Sequence, residues 1–156
     1  MELLKVGDEA PEFVGIAQSG VSISLTQYRG KRVILYFYPK DNTPGCTLEA
    51  CNLRDNHALL LDKGFVVIGV SADNENSHQA FISRFKLPFP LIADTDKKII
   101  NLYGVWGPKK FMGRTFDGIN RTTFVISKTG IIEAVIEKVK NAEHAQQILS
   151  ELNIKK

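Results

Sequence analysis

Residues 33–51, VILYFYPKDNTPGCTLEAC, constrain the fold more than any other stretch of this chain. Residues 33–38 are β-branched, aliphatic and aromatic with no charge, the pattern of a strand buried on both faces. Pro39 stops the strand, and Lys40 to Gly45 is a dense run of turn residues. Residues 46–61 then return to helical spacing, with Leu48, Leu53, Leu59 and Leu60 among polar residues. Cys46 is therefore expected at the start of a helix, just past the C-terminal end of a central strand. In open α/β sheets ligands and chemistry collect at that place. A helix N-terminus also offers unpaired N–H groups and a partial positive charge, which favour an anion such as a thiolate.

Around this unit the patterns alternate. An extended lead-in over residues 2–11 precedes a short hairpin, with 13–17 and 21–25 flanking Gln18, Ser19 and Gly20. Residues 65–71 read as a second buried strand, 77–85 as an amphipathic helix, 89–93 as a short apolar strand and 97–103 as a small helix. Residues 104–120 contain four glycines and the large residues Trp106, Phe111, Met112 and Phe116, and are expected to form a long ordered loop. Residues 122–127 and 131–137 alternate around a Lys128, Thr129, Gly130 turn, and 143–152 close the chain as an amphipathic helix. A βαβ unit followed by a hairpin and a final helix predicts an α/β, thioredoxin-like fold with a central mixed sheet flanked by helices and an N-terminal hairpin extension.

At 156 residues the chain predicts one domain spanning residues 1–156. The net charge of +3 is dispersed, with Lys109, Lys110, Arg114 and the terminal Lys155 and Lys156 read as solvated surface charge, so no nucleic-acid partner is expected. No leader-like start and no apolar run of roughly 18 residues is found, so a cytoplasmic protein without a membrane partner is expected. Two cysteines in a reducing compartment point to catalysis or metal rather than a structural staple. Zinc is disfavoured, because there is no second cysteine pair and His57, His78 and His144 lack ligand spacing; no cofactor is expected.

A thiol of pKa about 8.5 is only about 3% ionised at pH 7, against about 90% for one near 6. That difference takes roughly 3 kcal/mol, and a helix terminus supplies about 0.3–2. A cation and hydrogen-bond donors are needed as well; Thr43, three residues earlier, and Arg121, opening a strand expected beside the central one, are the candidates. Cys51 follows Cys46 by five residues, which in an intact helix places their Cα atoms about 8.6 Å apart on different faces. A disulfide needs about 7 Å or less. Pairing would require the first turns of the helix to unwind.

Pro39, Thr43 and Cys46 spell the PxxxTxxC motif of peroxiredoxins, and Glu49, Ala50 and Cys51 extend it to the GCTxEAC form of the bacterioferritin-comigratory, or PrxQ, subfamily. With the Val6, Gly7, Pro11, Phe13 opening and the YGVWG and RTTFVI segments, the chain resembles that subfamily from about residue 4 to 152. The resemblance implies a thiol peroxidase: Cys46 attacks a hydroperoxide and becomes a sulfenic acid, and Cys51 resolves it as an intramolecular disulfide that thioredoxin or a similar dithiol reduces. It assigns Thr43 to binding thiolate and peroxide, Arg121 to lowering the thiol pKa and stabilising the departing oxygen, Pro39 to excluding water, and Glu49 to structure. A monomer is expected. Leu53 stands where the subfamily commonly has an aromatic, and Pro108 where an acidic residue is common.

Each assignment has a plainer counterpart: a buried inert thiol for Cys46, a dispensable one for Cys51, an edge-strand arginine for Arg121, and loop packing for Trp106, Phe111 and Phe116. A redox-responsive binding or holdase module switched by the same disulfide would use the same residues. A thiol-disulfide oxidoreductase is disfavoured by the lack of a CxxC pair. Ser83 with Lys86, residues 128–130 and the sequon at 120–122 carry no weight in a chain of this length and context.

Overall fold

The computed structural model describes residues 4–153. The expected hairpin is present as β1 (Val14–Ile16) and β2 (Ser22–Ser24), paired antiparallel. β3 (Arg32–Phe37) leads through the Pro39 turn into α1 (Pro44–Asp55) and α2 (His57–Asp62), then β4 (Phe65–Ser71), α3 (Glu75–Phe85), β5 (Leu91–Ala93) and α4 (Lys98–Leu102). β6 (Trp106–Phe111) and β7 (Arg114–Ile119) form a hairpin, β8 (Thr122–Ile126) and β9 (Ile132–Ile136) a second, and α5 (His144–Glu151) is the last helix. The main sheet runs β5-β4-β3-β8-β9, parallel across β5, β4 and β3 and antiparallel from β3 to β8 to β9. This is the thioredoxin-like mixed sheet that the strand and helix order predicts.

β3 shows why an unbroken apolar run was needed. Successive side chains of a strand point to opposite faces, and both faces are covered here. Ile34, Tyr36 and Tyr38 pack with Cys46, Ala50 and Leu53 of α1, Phe81 of α3 and Ile148 of α5. Val33, Leu35 and Phe37 pack on the other side with Ile23, Ile99, Tyr103 and Phe124. Leu53 is fully buried in the first layer; truncating a side chain so placed to alanine costs about 2–5 kcal/mol. Gly69 of β4 leaves the room Tyr36 takes, since a Cβ there would lie 2.9 Å from Tyr36 Cζ and 2.6 Å from Leu91 Cδ2.

Two expectations change. The single helix over 46–61 is two, broken at Asn56 (φ −104°, ψ 8°), and α1 starts at Pro44, where a proline suits the first helical position. The loop over 104–120 is the β6–β7 hairpin, in register from Trp106 opposite Ile119 to Phe111 opposite Arg114. Its turn is Met112 and Gly113, both at positive φ (51° and 78°). Among the described residues no helix is long and apolar enough to cross a membrane. The Lys155 and Lys156 charges and the side chain of Phe111 lie outside what the structure describes.

Candidate active site

The turn between β3 and α1 is anchored before it reaches the cysteine. Tyr38 donates its N–H to Val70 O, extending the β3–β4 ladder to the residue before Pro39, which has no N–H to continue it and is half-buried. Asp41, almost fully buried, then accepts from Tyr38 Oη (2.6 Å) and from Ser77 Oγ (2.8 Å), and its Oδ2 lies 2.7 Å from His78 Nδ1. Its own N–H donates to Asp73 Oδ2, and His78 Nε2 donates to Ile92 O at 2.9 Å. The turn is thus tied to β4, α3 and β5. Asp41, Asp73 and His78 lie close enough together for a divalent ion, but their facing atoms already have protein partners.

Cys46 occupies the third position of α1 and is 1% exposed. The first helical bond of α1 runs from Thr47 N–H to Thr43 O, and no side chain caps the helix, so the N–H groups of Gly45 and Cys46 have no intrahelical acceptor. Thr43 is the cap residue, and its hydroxyl donates to Lys40 O at 3.0 Å rather than to the sulfur. Arg121 arrives from the other side of β3. Thr122, its neighbour, pairs with Phe37 at the C-terminal end of β3, and from there Arg121 Nη2 donates to Cys46 Sγ at 3.0 Å.

The same guanidinium serves a second group, for Arg121 Nη1 donates to Glu49 Oε1 at 2.6 Å. Glu49 is fully buried one turn after Cys46, and burial pushes its carboxyl up to about 7 against the pull of Arg121. Glu49 Oε2 has no hydrogen-bond partner; His144 Nε2 faces it from 3.4 Å away on α5. His144 is fully buried, and desolvation brings its pKa down to about 4. Its tautomer follows from its neighbours. Gln147 Oε1 accepts from Lys140 N–H (2.9 Å) while Gln147 Nε2 donates to Lys138 O (2.8 Å), so His144 Nδ1, 3.1 Å from that Oε1, is the donor. Nε2 of the neutral ring then accepts from Thr123 Oγ1 at 2.7 Å.

Further polar groups border this cluster. A Cβ on Gly45 would lie 2.9 Å from Asn141 Nδ2 and 3.4 Å from Arg121 Nη2, so glycine admits both side chains. Burial, then the charges of Glu49 and Cys46, hold the Tyr36 hydroxyl well above its ordinary pKa as a phenol. Among the described residues the buried side-chain atoms lacking a partner are Tyr36 Oη, Glu49 Oε2 and Asn141 Oδ1, and every one belongs to this neighbourhood. Lys109 of β6, partly buried, donates to Ile119 O at 2.7 Å; burial and then Arg121 lower its pKa. A surface depression lined by α5 side chains such as Gln146 and Ser150 includes neither Cys46 nor Arg121.

Cys51 is partly exposed, and both cysteines are free thiols. α1 is regular from Pro44 to Asp55, so the two stay on different faces while it is wound. Just past Cys51, Asn52 fastens α1 to the end of the chain: its Nδ2 donates to Ala142 O (3.0 Å) and its Oδ1 accepts from Ala145 N–H (2.7 Å). Trp106 packs partly against the second core layer under Lys97, while Phe116 is largely exposed. The sequence marked Cys46, Arg121 and Glu49. It did not mark His144, Asn141 or the Asp41–His78 anchor, for which only the position of each residue in a turn or helix gave any signal.

Residues 6–135 match the AhpC/TSA family. Peroxiredoxin Bcp of Escherichia coli K12 is 43% identical over 150 residues, covering 96% of each chain. A cysteine-to-serine variant of Xylella fastidiosa PrxQ superposes with a TM-score of 0.90 at 29% identity over 98% of both chains. The bacterioferritin comigratory protein of Xanthomonas campestris, described for its alkyl peroxide reduction activity, gives a TM-score of 0.84 at 32% identity over 90% of both chains.

Proposed function

This chain belongs to the AhpC/TSA family as a peroxiredoxin of the bacterioferritin-comigratory, or PrxQ, type, and is a peroxidase; we propose that Cys46 is its peroxidatic cysteine and Cys51 its resolving one. The observation that carries the reading is the Arg121 hydrogen bond to Cys46 Sγ at the first turn of α1, which favours an anionic sulfur.

The sulfur attacks the nearer oxygen of a hydroperoxide, the O–O bond breaks, and the departing oxygen takes a proton to leave as water or an alcohol. Cys46 is left as a sulfenic acid. Arg121 stabilises the charge that develops on the oxygens, Thr43 turns its cap hydroxyl toward the peroxide, and Pro39 limits water. α1 then unwinds, Cys51 attacks the sulfenic sulfur, and water leaves as the disulfide forms. Thioredoxin or a similar dithiol returns both cysteines to thiols and becomes a disulfide itself. Hydrogen peroxide and organic hydroperoxides are the substrates; the alkyl peroxide activity of the Xanthomonas relative supports the second class. The protein acts as a monomeric single domain in the cytoplasm, where a reducing pool keeps both thiols available to the cycle.

The test is peroxide consumption by the purified protein with excess dithiol, beside Cys46→Ser and Cys51→Ser, with the oxidised product mapped by mass spectrometry. Many turnovers for wild type, none for Cys46→Ser and a Cys46–Cys51 linkage within one chain are expected. A wild type that reacts once and stops despite available reductant overturns the reading in favour of a redox-switched binding module.

A further inference from the structure

Glu49 lies between the two cysteines on the segment that must unwind to join them, and it is the most deeply enclosed acid of the site. Arg121 supplies one positive charge to two acidic groups, Cys46 and Glu49. The groups that face Glu49 are Cys46 from its own helix, Arg121 from the start of β8, His144 from α5 and Tyr36 from β3, with Lys109 of β6 beyond Arg121. None of them donates to Glu49 Oε2. His144 turns toward it a nitrogen that the Gln147 network leaves without a proton. A carboxylate there would face an unprotonated, electron-rich nitrogen across 3.4 Å in a sealed space, with no proton between them. A protonated Oε2 removes that clash and leaves the charge of Arg121 to the sulfur.

We propose that Glu49 carries a proton on Oε2, facing His144, while α1 is wound, and releases it to solvent when α1 unwinds for Cys51 to reach Cys46. Glu49 and His144 are thereby positioning residues: they direct Arg121 toward the sulfur and set how readily the helix opens. This rests on the Cys46–Cys51 disulfide proposed above. The balance is that Cys46 sulfenic acid and the Cys51 thiol give the disulfide and water, while Glu49 passes from carboxylic acid to carboxylate plus a proton in solvent. Reduction by a dithiol then returns Cys46 and Cys51 to thiols and leaves the reductant as a disulfide, and Glu49 regains its proton on burial. Burial holds the wound-state carboxyl near 7 against an ordinary 4.5. Between those values each pH unit favours the unwound state by up to about tenfold, and above them the effect levels off.

The measurement is the pH dependence of the Cys46–Cys51 reduction equilibrium in dithiothreitol buffers, for wild type and Glu49→Gln, with the disulfide mapped in each sample. Glutamine keeps an acceptor for Arg121 and a donor for His144 without an ionisable proton. Between about pH 5 and pH 7 wild type is expected to take up about one proton more per disulfide reduced than the variant, the two converging above that range. A second readout needs wild type only: the infrared difference spectrum between reduced and oxidised protein near pH 6 should show a buried protonated carboxylic acid in the reduced form. Equal proton counts with the disulfide formed, or no such band, overturn this inference alone. Absence of any Cys46–Cys51 disulfide overturns the resolution scheme and takes this inference with it.

Discussion

His78 and Asp41 hold each other at 2.7 Å, both sealed from solvent, and through that contact α3 grips the turn that leads into α1. Asp41 contacts three polar side chains at once, so its loss strands a phenol, a hydroxyl and a histidine ring in the interior. Asp41→Ala should lower the unfolding free energy by about 3 kcal/mol. Urea unfolding followed by circular dichroism measures it; an unchanged midpoint would show that the turn is held by other contacts.

Arg121→Met keeps most of the side-chain length and removes the bonds to both Cys46 and Glu49. Peroxide reduction should fall by about a hundredfold or more. Alkylation of Cys46 by iodoacetamide at pH 7 should slow with it, and Arg121→Lys should recover only part of either, since an ammonium cannot present the planar fork that reaches both partners. Alkylation at the wild-type rate would remove Arg121 from thiol activation.

Cys51→Ser should leave the peroxide step intact. A single equivalent of hydroperoxide should be consumed at close to the wild-type rate, whereas turnover supported by thioredoxin should be lost and turnover with small thiols kept. Stopped-flow peroxide consumption separates the two phases. Full thioredoxin-supported turnover in the variant would mean that the sulfenic acid is resolved without Cys51.

Glu49 and His144 make opposite contributions to stability across the acid range. Glu49 has a folded value raised from 4.5 to about 7, so stability present below its unfolded value is lost as pH rises through 7. His144 is brought down from 6.5 to about 4, so stability present above 6.5 is lost as pH falls through 4. Between about pH 4.5 and 6.5 the two slopes, each up to about 1.4 kcal/mol per unit, oppose one another. Glu49→Gln should therefore gain stability as pH rises over that window, and His144→Asn should lose it. Denaturant titrations at several pH values read the sign, and slopes of the same sign in both variants would refute the pairing.

What the sequence made legible follows from the range of each interaction. β3 could be read because burial on both faces demands an unbroken apolar run, and Cys46 because a proline, a turn and a helix start are all local signals. The β6–β7 hairpin was missed because most of β7 is exposed, so no face imposes an alternation, and because Met112 and Gly113 are not a familiar turn pair despite their positive φ values. Arg121 was found through the expected neighbour relation of two strands. His144 was passed over as a stray histidine: its meaning depends on Gln147 one turn on, and on Thr123 of β8 and Glu49 of α1, which only the tertiary packing of α5 brings within reach. Thr43 was expected at the sulfur and instead bonds Lys40 O, a choice between two local acceptors that spacing does not decide.

Asn52 marks the point at which α1 is fastened to the segment that enters α5. Residues 44–51 lie before that fastening and Leu53 just after it. In the scheme proposed above, an opening that stops at Asn52 leaves Leu53 seated in the core, so the apolar surface uncovered is limited to what Cys46 and Ala50 cover.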